Sequence, residues 1–226
     1  MNKELTILIP ALNEEKTIGI CIKKANKVLL ENDIVGEIVV VDNESIDKTA
    51  EIAQKLGARV ISVKEKGYGN ALINGSKQAN GKYTIMGDAD NSYNFLEIMP
   101  IIEKLREGYD FVIGNRYKGK MENGAMKISH KYIGTPIISW LGRVKFKVDI
   151  RDFNCGLRGY ETKKINDLHC KCGGMEYATE MIIKAKKANL KMIEVPINFY
   201  RDSRDNLPHL KTIRDGFRHL KVITKN

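Results

Sequence analysis

The sequence predicts an α/β fold with a mostly parallel central sheet flanked by helices. Three observations predict it. Short apolar runs alternate with amphipathic stretches of about 10–15 residues, the spacing of strand–helix–strand crossovers. Polar clusters follow the predicted strands at Asn13-Glu14, Asp42 to Asp47 and Asp88 to Asn91, where sheets of this type bind ligands. Finally, 226 residues with 42% hydrophobic and 29% charged content suit one domain around a single sizeable core.

The elements can be read in order. Thr6 to Ile9 is a buried strand. Glu14 to Leu30 is a helix, because Ile18, Cys21, Ile22, Ala25, Val28 and Leu29 recur at helical spacing. Glu37 to Val41 is a strand ending at Asp42, Asp47 to Leu56 a helix, and Arg59 to Val63 a strand. Tyr68 to Gln78 is a helix, and Tyr83 to Met86 a strand that runs into Gly87-Asp88-Ala89-Asp90. Leu96 to Arg106 is a helix and Phe111 to Ile113 a strand. The second half is less regular. Ser129 to Val148 contains a helix with aromatic and basic residues, and Asp152 to Arg158 reads as a loop or a strand entry. Met175 to Ala188 is a helix, Lys191 to Ile197 a strand carrying Pro196, and Leu210 to Ile223 a final helix.

Charge narrows the partners. Lys and Arg exceed Asp and Glu by 38 − 28 = 10, which suits an anionic partner such as a phosphorylated substrate or an anionic membrane. Nucleic acid is not expected, because the basic residues are dispersed and no recognition motif stands out. Cys21, Cys155, Cys170 and Cys172 make no disulfide framework of the secreted kind. His169, Cys170 and Cys172 lack the second ligand pair that a zinc site requires. Met1 to Ile20 carries no signal-peptide pattern, and no run approaches the ~20 apolar residues of a spanning helix. A cytoplasmic location, with at most peripheral membrane contact, follows as the expectation.

The chemistry is carried by Asp88-Ala89-Asp90. Two carboxylates separated by one small residue on a strand-end turn can face one hard cation. Mg²⁺ is commonly held by one or two carboxylates plus substrate phosphates, so Asp88 and Asp90 are the predicted ligands of Mg²⁺ or Mn²⁺. The apolar strand ending at Asp42 delivers a second acidic turn, suited to accepting hydrogen bonds from a ribose or base. Asp47 in that turn is read chiefly as a helix cap. Lys66-Gly67-Tyr68-Gly69-Asn70 lacks the third glycine of a dinucleotide fingerprint and reads as a turn and helix start.

Five motifs occur in order: Ile9-Pro10-Ala11-Leu12-Asn13-Glu14-Glu15, the Asp42 turn, Asp88-Ala89-Asp90, Gly114-Asn115-Arg116-Tyr117 and Cys155-Gly156-Leu157-Arg158. Together they resemble family-two glycosyltransferases of the GT-A (nucleotide-diphospho-sugar transferase) fold, over about residues 4 to 202. The branch they resemble most is the dolichyl- or polyprenyl-phosphate hexose synthases. The resemblance implies one domain over 1–226. About 1–115 would bind the nucleotide-sugar, and about 116–226 would bind the acceptor and end in an amphipathic helix.

The resemblance also distributes roles. Pro10, Leu12, Glu14, Val40 and Asp42 would hold the nucleotide. Asp88, Ala89 and Asp90 would hold the metal and diphosphate. Arg116 and Arg158 would meet acceptor phosphate, with Asp152 beside them. Glu194-Val195-Pro196-Ile197 matches the strand before an arginine-bearing segment, which makes Arg201, Arg204 and Lys211 candidates for diphosphate contact. Many relatives have a second acid directly after Asp42, where this chain has Asn43. They often have Gln where this chain has Ser92, so a third metal ligand is not assigned.

The expected reaction is metal-dependent inverting transfer of a hexose from GDP-mannose or a UDP-hexose to a lipid phosphate at a membrane's cytoplasmic face. Asp90, Asp152 and Glu176 are its catalytic candidates, although Glu176 and Glu180 also read as a solvated helix face beside Lys184. A phosphate acceptor is already anionic and needs little base. Transfer to a sugar hydroxyl, the alternative, would need one, with Asp152 or Glu176 first in line. A non-catalytic nucleotide- or anion-binding module is the reading from another class. Two segments are candidates for lipid contact. One is Ile133 to Trp140, flanked by His130, Lys131, Arg143 and Lys145. The other is the last helix, with Leu210, Ile213, Phe217, Leu220 and Ile223 near one face and Lys211, Arg214, Arg218 and Lys221 interspersed. Packing of that helix on the core is the competing expectation.

Overall fold

The structure, a computed structural model, describes residues 3–203 and 212–226, without the side chains of residues 212 and 213. Arg204, Lys211, Leu210 and the Ile213 side chain therefore lie outside the described residues.

Seven strands form one sheet in the order β3-β2-β1-β4-β6-β5-β7. They are β1 (Lys3–Ala11), β2 (Gly36–Asp42), β3 (Arg59–Ser62), β4 (Gly81–Met86), β5 (Phe111–Asn115), β6 (Arg158–Glu161) and β7 (Met192–Pro196). All pairings are parallel except those of β6, which runs antiparallel to both β4 and β5. The central strands are apolar on both faces. Leu5, Ile7, Leu8 and Ile9 of β1 and Val39, Val40 and Val41 of β2 are buried, as expected of strands covered by helices on each side.

The helices are α1 (Ile18–Glu31), α2 (Thr49–Lys55), α3 (Tyr68–Lys77), α4 (Met99–Arg106), α5 (Thr135–Phe146), α6 (Thr162–Asn166), α7 (Tyr177–Lys187) and α8 (Thr212–Lys225). Helix α1 buries Ile18, Cys21, Ile22, Ala25 and Val28, the stripe read from the sequence. It begins four residues later than expected, because Glu14 spends its carbonyl on a turn that accepts the amides of Thr17 and Ile18.

The sequence reading missed β6 and α6. Strand β6 is Arg-Gly-Tyr-Glu and shows no apolar alternation. Its place depends on distant partners. A side chain at Gly159 would begin 2.3 Å from Ile101 of α4, so only glycine lets that helix lie on the strand. Tyr160 is buried edge-on to Phe111, with ring centroids 6.4 Å apart. Because β6 pairs β4 with β5, the two halves of the chain share one sheet.

A buried charge cluster pins the sheet's other end. Glu37 accepts hydrogen bonds from Lys3, Thr6, Arg59 and the Asn80 amide at 2.8–3.0 Å. Burial alone would raise its pKa. The bonds from Arg59, Lys3 and Asn80 outweigh that and pull it from 4.5 to about 2. A depressed carboxylate adds stability that is complete above the unfolded value and fades as pH falls through the folded one. Glu37→Gln should therefore cost about 1–3 kcal/mol at neutral pH. In urea titrations the gap from wild type should close between pH 4.5 and about 2. A gap unchanged across that window would refute the assignment.

Candidate active site

The carboxyl ends of β1, β2 and β4 open into a cleft of about 830 Å³. Hydrogen bonds between the loops after β1 and β2 shape its rim. The Asn13 amide donates to Ser45 Oγ, Asn13 Oδ1 accepts the Ile46 amide, and Thr49 Oγ1 accepts the Glu14 amide. Asn13 tolerates its φ of 57° because asparagine is among the residues that visit the left-handed region. Asp47 accepts the amides of Thr49 and Glu15, so it ties the turn before α2 to the loop after β1, while the N-cap position itself is Lys48, without a side-chain cap bond.

Pro10, Leu12, Glu14, Asp88, Ala89, Asp90 and Arg116 all line the cleft. Asp88 and Asp90 are fixed by neighbours. Asp88 Oδ1 accepts the Tyr68 hydroxyl at 2.8 Å, and Asp90 Oδ1 accepts both the amide (2.9 Å) and the hydroxyl (2.6 Å) of Ser92. Burial and the adjacent Asp88 push the Tyr68 phenol well above its usual pKa, so it remains a donor. Across the turn, the Gly156 amide donates to the Tyr93 hydroxyl. A side chain at Gly156 would begin 2.7 Å from Asp88 Oδ2, so the glycine leaves that carboxylate its space. The segment after β7 is tied to the same turn. Tyr200 and Ser203 donate their amides to the carbonyls of Ser92 and Asp90, and Phe199 packs between Tyr93 and Arg116.

Several candidates turn out to do other work. Arg158 is fully buried and donates to the carbonyls of Cys155, Phe153 and Ala178, each at 2.7 Å. It therefore ties the strand, its preceding loop and α7 together, and it does not face an acceptor phosphate. Asp152 is likewise buried and lies off the cleft wall. Its two oxygens take the Arg116 guanidinium at 2.7 and 2.8 Å and also the Arg116 amide, which corrects its assignment as a catalytic base. Burial disfavours the charge on Arg116, but Asp152 outweighs it and raises the guanidinium pKa. Arg116 thus reaches the cleft already paired.

Glu176 and Glu180 are not a solvated face. Both are buried. Glu180 accepts the amides of Lys171 and Cys172 and pairs with Lys184 at 3.0 Å, so it fastens the loop before α7. Glu176 binds Arg218 of α8 and does not line the cleft, which removes it as a general base. Val40 is enclosed in the sheet, and the Asp42 carboxylate accepts the Ser45 amide within its own turn. Neither lines the cleft, whereas the neighbouring Asn43 does. Arg201 is exposed, with its guanidinium over Gly124, away from the cleft wall. The glycine-rich turn spends its amides on protein, Gly67 on Asn43 Oδ1 and Asn70 on the Gly173 carbonyl.

Sequence reasoning missed the contribution of α8. Arg214, Asp215, Arg218 and His219 line the cleft. His219 bonds Thr179 Oγ1 through Nδ1 at 2.7 Å, and burial lowers its pKa to about 4, with Arg158 and Arg218 adding to the effect. The apolar residues of α8 do not share one face. Ile223 is buried and Phe217 is exposed. The available signal was the i, i+4 spacing of Asp215 and His219, polar residues on the inward side of an amphipathic helix.

The sequence and the fold match those of known proteins. The family model described as glycosyl transferase family 2 matches residues 6–173. The chain belongs to glycosyl transferase family 2. Its relatives include the low-salt glycan biosynthesis hexosyltransferase Agl6 of Haloferax volcanii. That protein is 34% identical over 98% of this chain and 53% of its own length. The dolichol-phosphate mannosyltransferase of Pyrococcus furiosus is 29% identical over 98% of this chain and 64% of its own. The chain thus spans about half to two thirds of the length of these two family members. Among solved structures, glucosyl-3-phosphoglycerate synthase from Mycobacterium tuberculosis, in complex with Mn²⁺, UDP and glucosyl-3-phosphoglycerate, superposes with a TM-score of 0.77. It shares 19% identity and covers 99% of this chain and 79% of its own, which establishes the common GT-A fold.

Proposed function

We propose that this chain is a metal-dependent inverting hexosyltransferase that moves a hexose from a nucleotide-sugar, GDP-mannose or a UDP-hexose, to a polyprenyl or dolichyl phosphate. The observation that carries the acceptor class is the position of the two candidate bases. Asp152 and Glu176 both lie off the cleft wall, each engaged to an arginine, and of the α8 groups that do line it Asp215 pairs with Arg214 and His219 Nδ1 is bonded to Thr179. A sugar hydroxyl needs a base to take its proton, whereas a phosphate oxygen attacks as an anion. The P. furiosus mannosyltransferase, named for a dolichol-phosphate substrate, supports the same acceptor.

The donor set in the cleft suits a hard cation. Among the described residues no group of three or more His, Cys, Asp or Glu gathers as a complete metal cage. Two carboxylates completed by substrate diphosphate oxygens are the usual arrangement for Mg²⁺ or Mn²⁺. Asp88 and Asp90 would hold the ion, which when bound neutralises charge on the departing diphosphate. Tyr68 and Ser92 hold the two carboxylates in place. Pro10, Leu12 and Glu14, which line the cleft, would hold the nucleoside, and Arg116, oriented by Asp152, would meet the acceptor phosphate. An acceptor phosphate oxygen forms a bond to the anomeric carbon as the bond from that carbon to the diphosphate oxygen breaks. The electron pair leaves with the nucleoside diphosphate, and no proton has to move.

A lipid acceptor also accounts for the exposed face of α5 and the turn before it. Ile128, Tyr132, Ile133, Ile137, Trp140 and Val144 are exposed, with Lys131, Arg143 and Lys145 among them. His130 and Thr135, from the same segment, line the cleft. Apolar residues interleaved with basic ones suit peripheral contact with an anionic bilayer, and no described helix is long and apolar enough to cross one. The test is transfer of labelled sugar from GDP-mannose, UDP-glucose and related donors, with and without Mn²⁺. Polyprenyl phosphate in anionic vesicles is compared with a saccharide acceptor. Metal-dependent, lipid-extractable product is expected. Glycosylation of the saccharide alone would overturn the acceptor class.

A further inference from the structure

Arg218 of α8 stands in the cleft wall and, among the described residues, spends one of its donors on a single side chain. Its Nη2 donates to Glu176 Oε1 at 2.6 Å, and its side chain is 42% exposed. Glu176 is 5% exposed, yet its second oxygen, Oε2, is buried without a hydrogen-bond partner among the described residues. An arginine and a carboxylate that served only each other would pair through two parallel bonds and satisfy both oxygens, as Arg116 and Asp152 do in this chain. Here the carboxylate grips one corner of the guanidinium. A buried acceptor left unsatisfied calls for an explanation, and orienting Arg218 supplies one.

The surrounding backbone is cut away for this pair. A side chain at Gly174 would begin 2.6 Å from Glu176 Oε2 and 2.8 Å from Arg218 Cζ. One turn earlier on the same helix, Arg214 also lines the cleft, with Nε 3.3 Å from Asp215. Arg116 arrives neutralised by Asp152, and Arg158 is closed off inside the protein. Arg218 is therefore the cleft arginine best placed to offer a guanidinium edge to an anion, and this chemistry favours phosphoryl oxygens.

We propose that Arg218 is a phosphate-binding residue of the cleft and that Glu176 is its positioning residue. The phosphoryl group comes from the donor diphosphate or from the acceptor phosphate. Which of these exist in the cleft rests on the hexosyltransferase reading, but the binding chemistry does not.

The test uses the full chain with Arg218→Gln, Arg218→Lys and Glu176→Gln. Direct binding of inorganic pyrophosphate, and of UDP and GDP with Mn²⁺, is measured beside the KM for polyprenyl phosphate and the melting temperature. Arg218→Gln should weaken a phosphate ligand by about tenfold or more, read as a raised Kd or KM. Arg218→Lys should recover part of that loss. Glu176→Gln, which keeps the guanidinium but loosens its aim, should act in the same direction more weakly. A change in nucleoside diphosphate affinity identifies the donor as the ligand, and a change in acceptor KM identifies the acceptor. Wild-type binding of pyrophosphate, nucleotide and acceptor by Arg218→Gln would overturn the proposal. A lowered melting temperature with binding intact would do the same and leave the pair a structural tie. A wild-type chain that binds pyrophosphate through Arg218 but transfers no hexose would uphold this proposal and sink only the enzyme reading.

Discussion

Replacing Asp90 with asparagine is expected to lower metal-dependent hexosyl transfer by about 10²–10³-fold, the scale seen when one preorganised stabiliser of transition-state charge is lost. The substitution is nearly isosteric and keeps an oxygen that can accept the Ser92 amide and hydroxyl, which hold the wild-type carboxylate at 2.9 and 2.6 Å. The turn should therefore survive. What disappears is the negative charge that a hard cation requires. Asp88→Asn should act similarly, since its amide oxygen can still accept the Tyr68 hydroxyl. Initial rates across a Mn²⁺ titration, beside melting curves that change little, would show the effect. Full activity with an unaltered metal requirement in both variants would remove the two aspartates from the mechanism.

Arg158→Leu should produce the largest loss of stability of any substitution considered. The guanidinium is fully buried and donates to the carbonyls of Phe153, Cys155 and Ala178, with a longer bond to Met181 Sδ. Removing it takes a charged donor away from three carbonyls in the interior and leaves a volume that leucine fills with a different shape. A loss of about 3–5 kcal/mol is expected for breaking a buried charged network. For a domain of this size that is roughly 6–20 °C in melting temperature. Lysine should rescue little, because a single ammonium cannot reproduce the planar fork. Thermal unfolding by circular dichroism decides the matter. A variant that melts normally yet has lost phosphate affinity would return Arg158 to the acceptor site.

The two substitutions mark what sequence reasoning could place and what it could not. Asp88 and Asp90 are neighbours in the chain, so their convergence follows from one strand end and one turn. Arg158 sits in an equally recognisable motif, but its partner Ala178 lies 20 residues away on a helix. A motif shows that an arginine is wanted at a position, without showing whether it faces substrate or backbone. Strand β6 was missed for a related reason. Its four residues carry no apolar period, and they become a strand because β4 and β5 leave a gap that only a glycine-bearing segment can fill beneath α4.

By itself the sequence determined the alternation of strands and helices, the parallel core, and the placing of Glu14, Asp88 and Asp90 beyond strand ends that open on a common cleft. These follow from local period and from chain order, which are properties of adjacent residues. Only the tertiary structure decided which charges are spent and which are offered. Arg116 closes on Asp152 across 36 positions and Arg218 on Glu176 across 42, while Arg158 disappears into the interior. Whether a charged side chain meets solvent, substrate or a buried partner is set by what packs beside it, and those neighbours come from distant parts of the chain.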